Sequence, residues 1–369
     1  MKKIRNIMFF MLIFKSLIIQ SVSKSFVEQK RKINYNKSLP IQKFDINHIY
    51  IDNLWKKIFG IKKKYFFGRR NSLPHKKTLI ITNIDANELR SRINNLNQKS
   101  QIKILKYNTI IHASVESYLR MGKYIGKVIS LSNFYFPMFE EKLEKYRIPK
   151  ELKYIAIIES NLNSTITSKS GAQGIWQFMP ETGKIYNLHI NNIYDERNDP
   201  MKSTEAACRY FKYLYNKIGN WELVLAAYNA GPSTIDKIIR LHNKKDFWSL
   251  WDFFPKETKN YIPKFIAINY VMNYYKEHNI QQLPPCSHFC IRYNDTVLVP
   301  IKEKISLRFF ASELNISYKD LMFLNPQYLV DIITPEDGNK YFLRLPKGKI
   351  SLLKEKEKED FLRKKKNNN

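Results

Sequence analysis

From Tyr107 to about His278, apolar residues return at three- and four-residue spacing almost without interruption, and no run alternates as a strand would. A stretch of roughly 170 residues patterned in this way folds as one all-α domain with its own core. Helices are expected over Thr109–Ile129 and Asn133–Tyr146, and from Pro149 to about Ser160. Later ones fit Gly174–Tyr186, Pro200–Tyr215, Trp221–Asn229, Ser233–His242 and Pro263–Glu277. Pro149 suits a first turn, where its missing N–H would have no helical partner anyway.

The flanks differ in character. Pro284 and Pro285 mark a linker, and Ile291 to Pro346 reads as strand, helix, helix, strand. Ser306 is placed to cap LRFFASEL, Ser317 and Asp320 form a short box before LMFL, and YFLRLP from Tyr341 alternates as a strand. The fold class is therefore mainly α, an all-α domain followed by a small α+β (βααβ) C-terminal module. Residues 24–106 are basic and weakly patterned, with one helix expected after Asp85 as its cap. At the start, Lys2, Lys3 and Arg5 precede the apolar run Ile7–Ile19, with Ser21 and Ser23 behind it, which reads as an export signal. Lys15 and Ser16 interrupt that run and it is short for a membrane span. An uncleaved segment would still associate the chain with a membrane. The division is thus 1–23 signal or anchor, 24–106 extension, 107–280 helical domain, 288–348 module and 349–369 charged tail, the last expected to be solvated.

Composition narrows the class. With 44% hydrophobic and 14% aromatic residues, disorder throughout is excluded. The net charge of +30, from 63 Lys+Arg against 33 Asp+Glu, favours an anionic partner such as nucleic acid, a membrane surface or an acidic wall polymer. The lysines are scattered, however, and no nucleic-acid motif occurs, so nucleic acid is not expected. Of three cysteines, Cys208 in EAACRYF reads as a small buried helix residue, while Cys286 and Cys290 are near enough to pair after export. No Cys/His cluster has metal-ligand spacing, and neither metal nor organic cofactor is expected.

Four segments carry candidate chemistry. In KELKYIAIIESNLN, Glu159 follows Leu152 by seven and Ile155 by four, which puts a carboxylate on an apolar helix face. Lost solvation there should raise its pKa, the condition a glycosidic general acid requires. A core glutamate paired with Lys or Arg would look the same in isolation. Next, SKSGAQGIWQFMPETG sets Trp176, Phe178 and Met179 among Gln173 and Gln177, the mixture of flat apolar faces and amides that a sugar groove needs. Its other reading is a helix start facing a core. In LAAYNAGPSTI, Gly231 and Pro232 end a helix and leave Tyr228 and Asn229 on its last turn. Finally, Glu257 and Tyr261 stand at the entrance of the apolar helix KNYIPKFIAINYVMNYY, which Thr258 or Asn260 could cap.

Together these segments resemble the catalytic domain of the soluble lytic transglycosylase family 1, and within it the membrane-bound lytic murein transglycosylase D group. The resemblance is carried by ELKYIAIIESNLN, SGAQGIWQFMPETGKIYNL, YDERNDPMKSTEAACRYFKYLY, LVLAAYNAGP and ETKNYIPKFIAINYV, in the family's order. It implies a lysozyme-like α fold and cleavage of the β-1,4 bond between N-acetylmuramic acid and N-acetylglucosamine in peptidoglycan glycan strands. It implies Glu159 as sole acid/base and Ser160 as the neighbour that orients it or the substrate. Gln177 and Met179 would contact the sugar, Tyr228 would lie near the glutamate with Asn229 beside it, and Glu257 and Tyr261 would line the far wall. Asp195, Arg197 and Asp199 match a structural stretch with no chemistry assigned. The C-terminal module resembles a LysM peptidoglycan-binding domain, although Lys304-Ile305-Ser306 replace its usual Gly-Asp-Thr turn. Ordinary glycosidases use two carboxylates, whereas one suffices if the substrate supplies the nucleophile. The expected product is then a 1,6-anhydromuramoyl end. A lysozyme-like hydrolase and a non-catalytic wall-binding protein are the alternatives.

Overall fold

The computed structural model describes residues 84–283, 291–335 and 341–355. The expected signal segment, most of the basic extension, and Cys286 with Cys290 lie outside the described residues. Helix α1 (Ala86–Lys99) begins after Asp85, whose carboxylate accepts from the N–H groups of Asn87 and Glu88 at 2.9 Å. This helix is not peripheral. Leu89 and Ile93 are buried in the main core, and Arg92 donates to the Tyr270 hydroxyl at 3.1 Å. The packed core therefore starts ahead of the boundary expected at Tyr107.

Helices α2 (Thr109–Leu119) and α3 (Gly122–Lys145) divide differently from the pattern's suggestion. The break falls at Arg120–Met121, next to Gly122, and Asn133 lies within α3. So does Pro137, which removes one helical hydrogen bond at a cost of about 3 kcal/mol. Phe134, Tyr135, Met138 and Phe139 are buried on either side of it, each worth about 1.5–3 kcal/mol, and tertiary packing prevails over propensity. Gly126 has its own constraint, because an added Cβ would meet the Gln281 carbonyl oxygen at 2.2 Å.

A 3-10 turn (Lys150–Tyr154) runs into the short α4 (Ile155–Ser160). Two left-handed residues stop α4, Asn161 (φ 56°) and Leu162 (φ 62°). Asparagine tolerates this conformation, whereas leucine pays about 1–2 kcal/mol, and the burial of the Leu162 side chain holds it there. The helix expected over Gly174–Tyr186 is mostly absent: only α5 (Pro180–Ile185) is helical. Residues 165–178 form a loop with isolated bridges Thr167↔Gln173 and Gln173↔Phe178. Positive φ at Gly174 (84°) and Gln177 (51°) forbids continuous helix, and a Cβ at Gly174 would lie 1.8 Å from the Arg197 carbonyl oxygen.

The remaining helices are α6 (Pro200–Ile218), α7 (Trp221–Ala230), α8 (Pro232–His242), α9 (Phe247–Leu250), α10 (Lys256–Lys259) and α11 (Tyr261–Tyr274). Asp199 caps α6 and Asn220 caps α7 through their side-chain oxygens. Every residue of α11 from Tyr261 to Val271 is buried, so this helix is the centre around which α2, α4 and α7 pack. Cys208 is free and buried in α6, as its sequence context suggests.

The C-terminal module contains β1 (Thr296–Pro300), β2 (Ile305–Ser306), α12 (Leu307–Glu313), α13 (Tyr318–Leu324), β3 (Ile332–Ile333) and β4 (Phe342–Pro346). Strand β1 pairs antiparallel with β4, Thr296 opposite Pro346, and β2 pairs antiparallel with β3, Ile305 opposite Ile333. Leu307, Leu314, Leu321, Leu343 and Leu345 form its core. The absent Gly-Asp-Thr turn is replaced by a long-range cap. Ser306 Oγ accepts from the Phe309 N–H at 3.3 Å and donates to Asp331 at 2.8 Å, while Asp331 accepts from the Arg308 N–H at 3.0 Å. Residues 350–355 are helical, and Leu352 and Leu353 pack on the module, so its ordered part runs past the boundary expected at 348.

Candidate active site

Glu159 sits in the last turn of α4, two residues before the backbone turns left-handed at Asn161. The Tyr261 hydroxyl, at the start of α11, donates to its Oε1 at 2.5 Å. Burial raises the Glu159 pKa to about 7, against the opposing effect of that hydrogen bond. The Glu257 charge pushes in the same direction as burial, and Lys264 pulls the other way. Near neutral pH the group therefore exists in both protonation states, the property a residue needs to give a proton and take one back.

Four side chains from three helices meet around this carboxyl. Tyr261 is buried, and burial and the neighbouring Glu159 charge hold its hydroxyl far above the ordinary range. Tyr228, near the end of α7, is likewise raised by burial and then by Glu159, while its hydroxyl donates to the Trp176 carbonyl at 2.8 Å. Glu257 is exposed on α10 and acts on the site through its charge. Lys264, 8% exposed, lies one turn beyond Tyr261; burial lowers its pKa while Glu257 and Glu159 raise it.

Of the other expected residues, Ser160, Asn229 and Gln177 bond to neighbouring backbone or side chains, and Met179 is exposed. Ser160 is buried and its hydroxyl contacts the carbonyls of Ala156 (2.8 Å) and Ile175 (2.7 Å), tying α4 to the 165–178 loop. Asn229 Oδ1 accepts from Thr258 Oγ1 at 2.9 Å and thereby joins the ends of α7 and α10. The Gln177 amide nitrogen donates to the carbonyls of Ile166 (3.0 Å) and Gly174 (2.9 Å), within its own loop. Met179 is 42% exposed at the start of α5. Two aromatic assignments are corrected. Trp176 and Phe178 offer no face to a sugar: both are buried in the core, and Trp176 Nε1 donates to Thr204 Oγ1 at 2.8 Å. The sequence reading missed Lys264, whose signal was a lone cation three residues after Tyr261 in an otherwise apolar helix. Among the described residues, no group of three or more His, Cys, Asp or Glu could hold a metal ion.

Comparison with known proteins bears on this arrangement, because the segment running from α3 through α9 contains Glu159 and its loop. Residues 137–251 match the transglycosylase SLT domain family. Residues 295–360 match the LysM-like domain family of lytic transglycosylase MltD. The chain is similar to membrane-bound lytic murein transglycosylase D of Escherichia coli K12, 34% identical over 180 residues, covering 47% of this chain and 39% of that protein. It is also similar to a putative tributyltin chloride resistance protein of Alteromonas, 31% identical over 134 residues and covering 36% and 62% of the two chains. A solved 70 kDa soluble lytic transglycosylase of Escherichia coli overlaps with a TM-score of 0.35 at 22% identity, covering 50% of this chain and 30% of that one. The chain thus spans less than half the length of the murein transglycosylase it matches. The SLT match ends at 251, ahead of Glu257, Tyr261 and Lys264, so the α11 side of the site rests on geometry.

Proposed function

We propose that this chain is a peptidoglycan lytic transglycosylase, with Glu159 as its single acid/base. The observation that carries this reading is one carboxyl with a pKa near 7, bound by Tyr261 and held inside a segment that matches the SLT domain. Protonated Glu159 gives its proton to the glycosidic oxygen between N-acetylmuramic acid and N-acetylglucosamine. The C1 centre becomes oxocarbenium-like, helped by the substrate's own acetamido oxygen. Glu159, now a carboxylate, takes the proton of the muramoyl C6 hydroxyl as that oxygen bonds to C1. The bond to the leaving sugar breaks, a 1,6-anhydro ring forms, and no water is consumed. Internal attack benefits from proximity. Lys264 stabilises the carboxylate between the two transfers, and Tyr261 keeps Oε1 aimed. Ser160, Gln177, Met179, Tyr228, Asn229 and Glu257 bound the substrate site directly or through the loop they fix.

The partners of this reading are glycan strands, through the helical domain and the LysM-like module. Its location is the cell envelope, with residues 1–23 directing export or anchoring the chain. No described helix is long and apolar enough to cross a membrane. Digestion of purified sacculi followed by mass spectrometry of the released muropeptides is the test. Anhydro ends are expected. Reducing ends would make the protein a hydrolase, and binding without release would make it a non-catalytic wall binder.

A further inference from the structure

Outside the site, a buried polar cluster joins the LysM-like module to the 165–178 loop. We propose that Arg197 is a positioning residue for glycan cleavage, holding that loop in place while the C-terminal module holds Arg197 through Asp195. The proposal rests on the function just given.

The contacts run in one line. Asp195 and Arg197 are both buried, and the guanidinium forks onto the carboxylate, Nη2 to Oδ2 at 2.7 Å and Nε to Oδ1 at 3.0 Å. The free edge of the fork, Nη1, donates to the carbonyls of Gly171 (3.0 Å) and Phe178 (3.2 Å), the second of which closes the Gln173↔Phe178 bridge. Asn198 adds a bond from Gln173 Nε2 at 2.7 Å. The face of the loop toward Glu159 is fixed by Ser160 on Ile175 and by Tyr228 on Trp176. The loop is therefore clamped from two sides, and one of them does not belong to the catalytic helices.

That side is in turn gripped by the module. The Asp195 N–H donates to the Gln327 carbonyl at 2.9 Å, and the Leu329 N–H donates to the Ile193 carbonyl at 2.8 Å. Tyr194 forms an isolated bridge with Tyr328, their rings 5.1 Å apart. A tethered wall-binding domain would need none of these contacts with the catalytic part.

The test uses the full chain and three variants: Arg197→Lys, Asp195→Asn and, in the module, Tyr328→Ala. Lysine keeps the charge and loses the fork. Hydrogen exchange of the Gln173 and Phe178 amides should quicken about tenfold or more in each, with α11 amides unchanged. On soluble glycan strands, KM should rise by about fivefold or more with kcat nearly constant, because a loosened loop weakens substrate binding while Glu159 stays in its setting. If loop exchange is unchanged in the variants that fold, or if kcat alone falls at constant KM, the proposal is overturned. If the wild type releases no glycan, the functional reading fails, while the exchange result still judges the clamp.

Discussion

Glu159→Gln should stabilise the protein at neutral and alkaline pH while silencing it, and the size follows from the site. The folded-state pKa is about 7 against an ordinary 4.5. A difference of about 2.5 units corresponds to about 3 kcal/mol. The sign is that of an acid whose pKa is raised by folding. At pH 4 both folded and unfolded chains hold the proton, and burial carries no penalty. As pH rises from 4.5 towards 7, the unfolded chain gains by ionising and the folded chain resists, so stability is lost through that window. Glutamine keeps an oxygen to accept from Tyr261 but cannot ionise. Its advantage should therefore be close to nil at pH 4 and about 3 kcal/mol at pH 8, or roughly 6–10 °C in Tm. Urea denaturation of both proteins at the two pH values measures this, and release of muropeptides from sacculi should fall below detection in the variant. Equal advantage at both pH values, or none at pH 8, would refute the claim that Glu159 is a destabilised, proton-holding group.

Other outcomes follow from the same neighbourhood. Lys264→Met removes a cation that favours ionised Glu159, so the alkaline limb of kcat/KM should move up by about one pH unit, read from a pH profile. Tyr261→Phe removes the hydrogen bond to Oε1 and should lower kcat by about 10- to 100-fold, since a bond to a charged acceptor is worth about 1.5–3 kcal/mol. Gly174→Ala would drive a Cβ into the Arg197 carbonyl at a φ of 84°, and should lower Tm sharply or leave the protein insoluble. Wild-type Tm on the same expression scale is the comparison.

Much of the helical domain was legible because its signals are local. Asp85, Pro200 and Gly231 do at α1, α6 and α7 what their types do in any chain, and the α11 run is apolar apart from Lys264 and two asparagines. Glu159 was visible for the same reason, as a carboxylate on an apolar stripe. What escaped detection depends on distant partners. Trp176 looks like a sugar platform in a window of sixteen residues, and its burial against Phe139 and Phe211 and its bond to Thr204 show that it belongs to the core. The 165–178 loop hid its shape because helix and loop are equally compatible with its composition, and the Arg197 carbonyl that excludes a side chain at position 174 comes from another segment. Pro137 misleads in the opposite sense, since a strong local breaker is overruled by packing that no local window contains.

The seam at Tyr293 has a geometric consequence. That side chain belongs to the module's first turn yet is buried among Phe134 and Tyr135 of α3, with the Arg344 guanidinium 4.2 Å above its ring and Phe323 closing on Phe134 at 5.1 Å. Just before residues 284–290, Leu283 is fastened to Gly126 on the same helix. Helix α3 is thus held on both sides of 284–290, by Leu283 before them and by Tyr293 after them. Losing the Tyr293 ring should therefore loosen the helical domain as well as the module, because one buried side chain belongs to the packing of both.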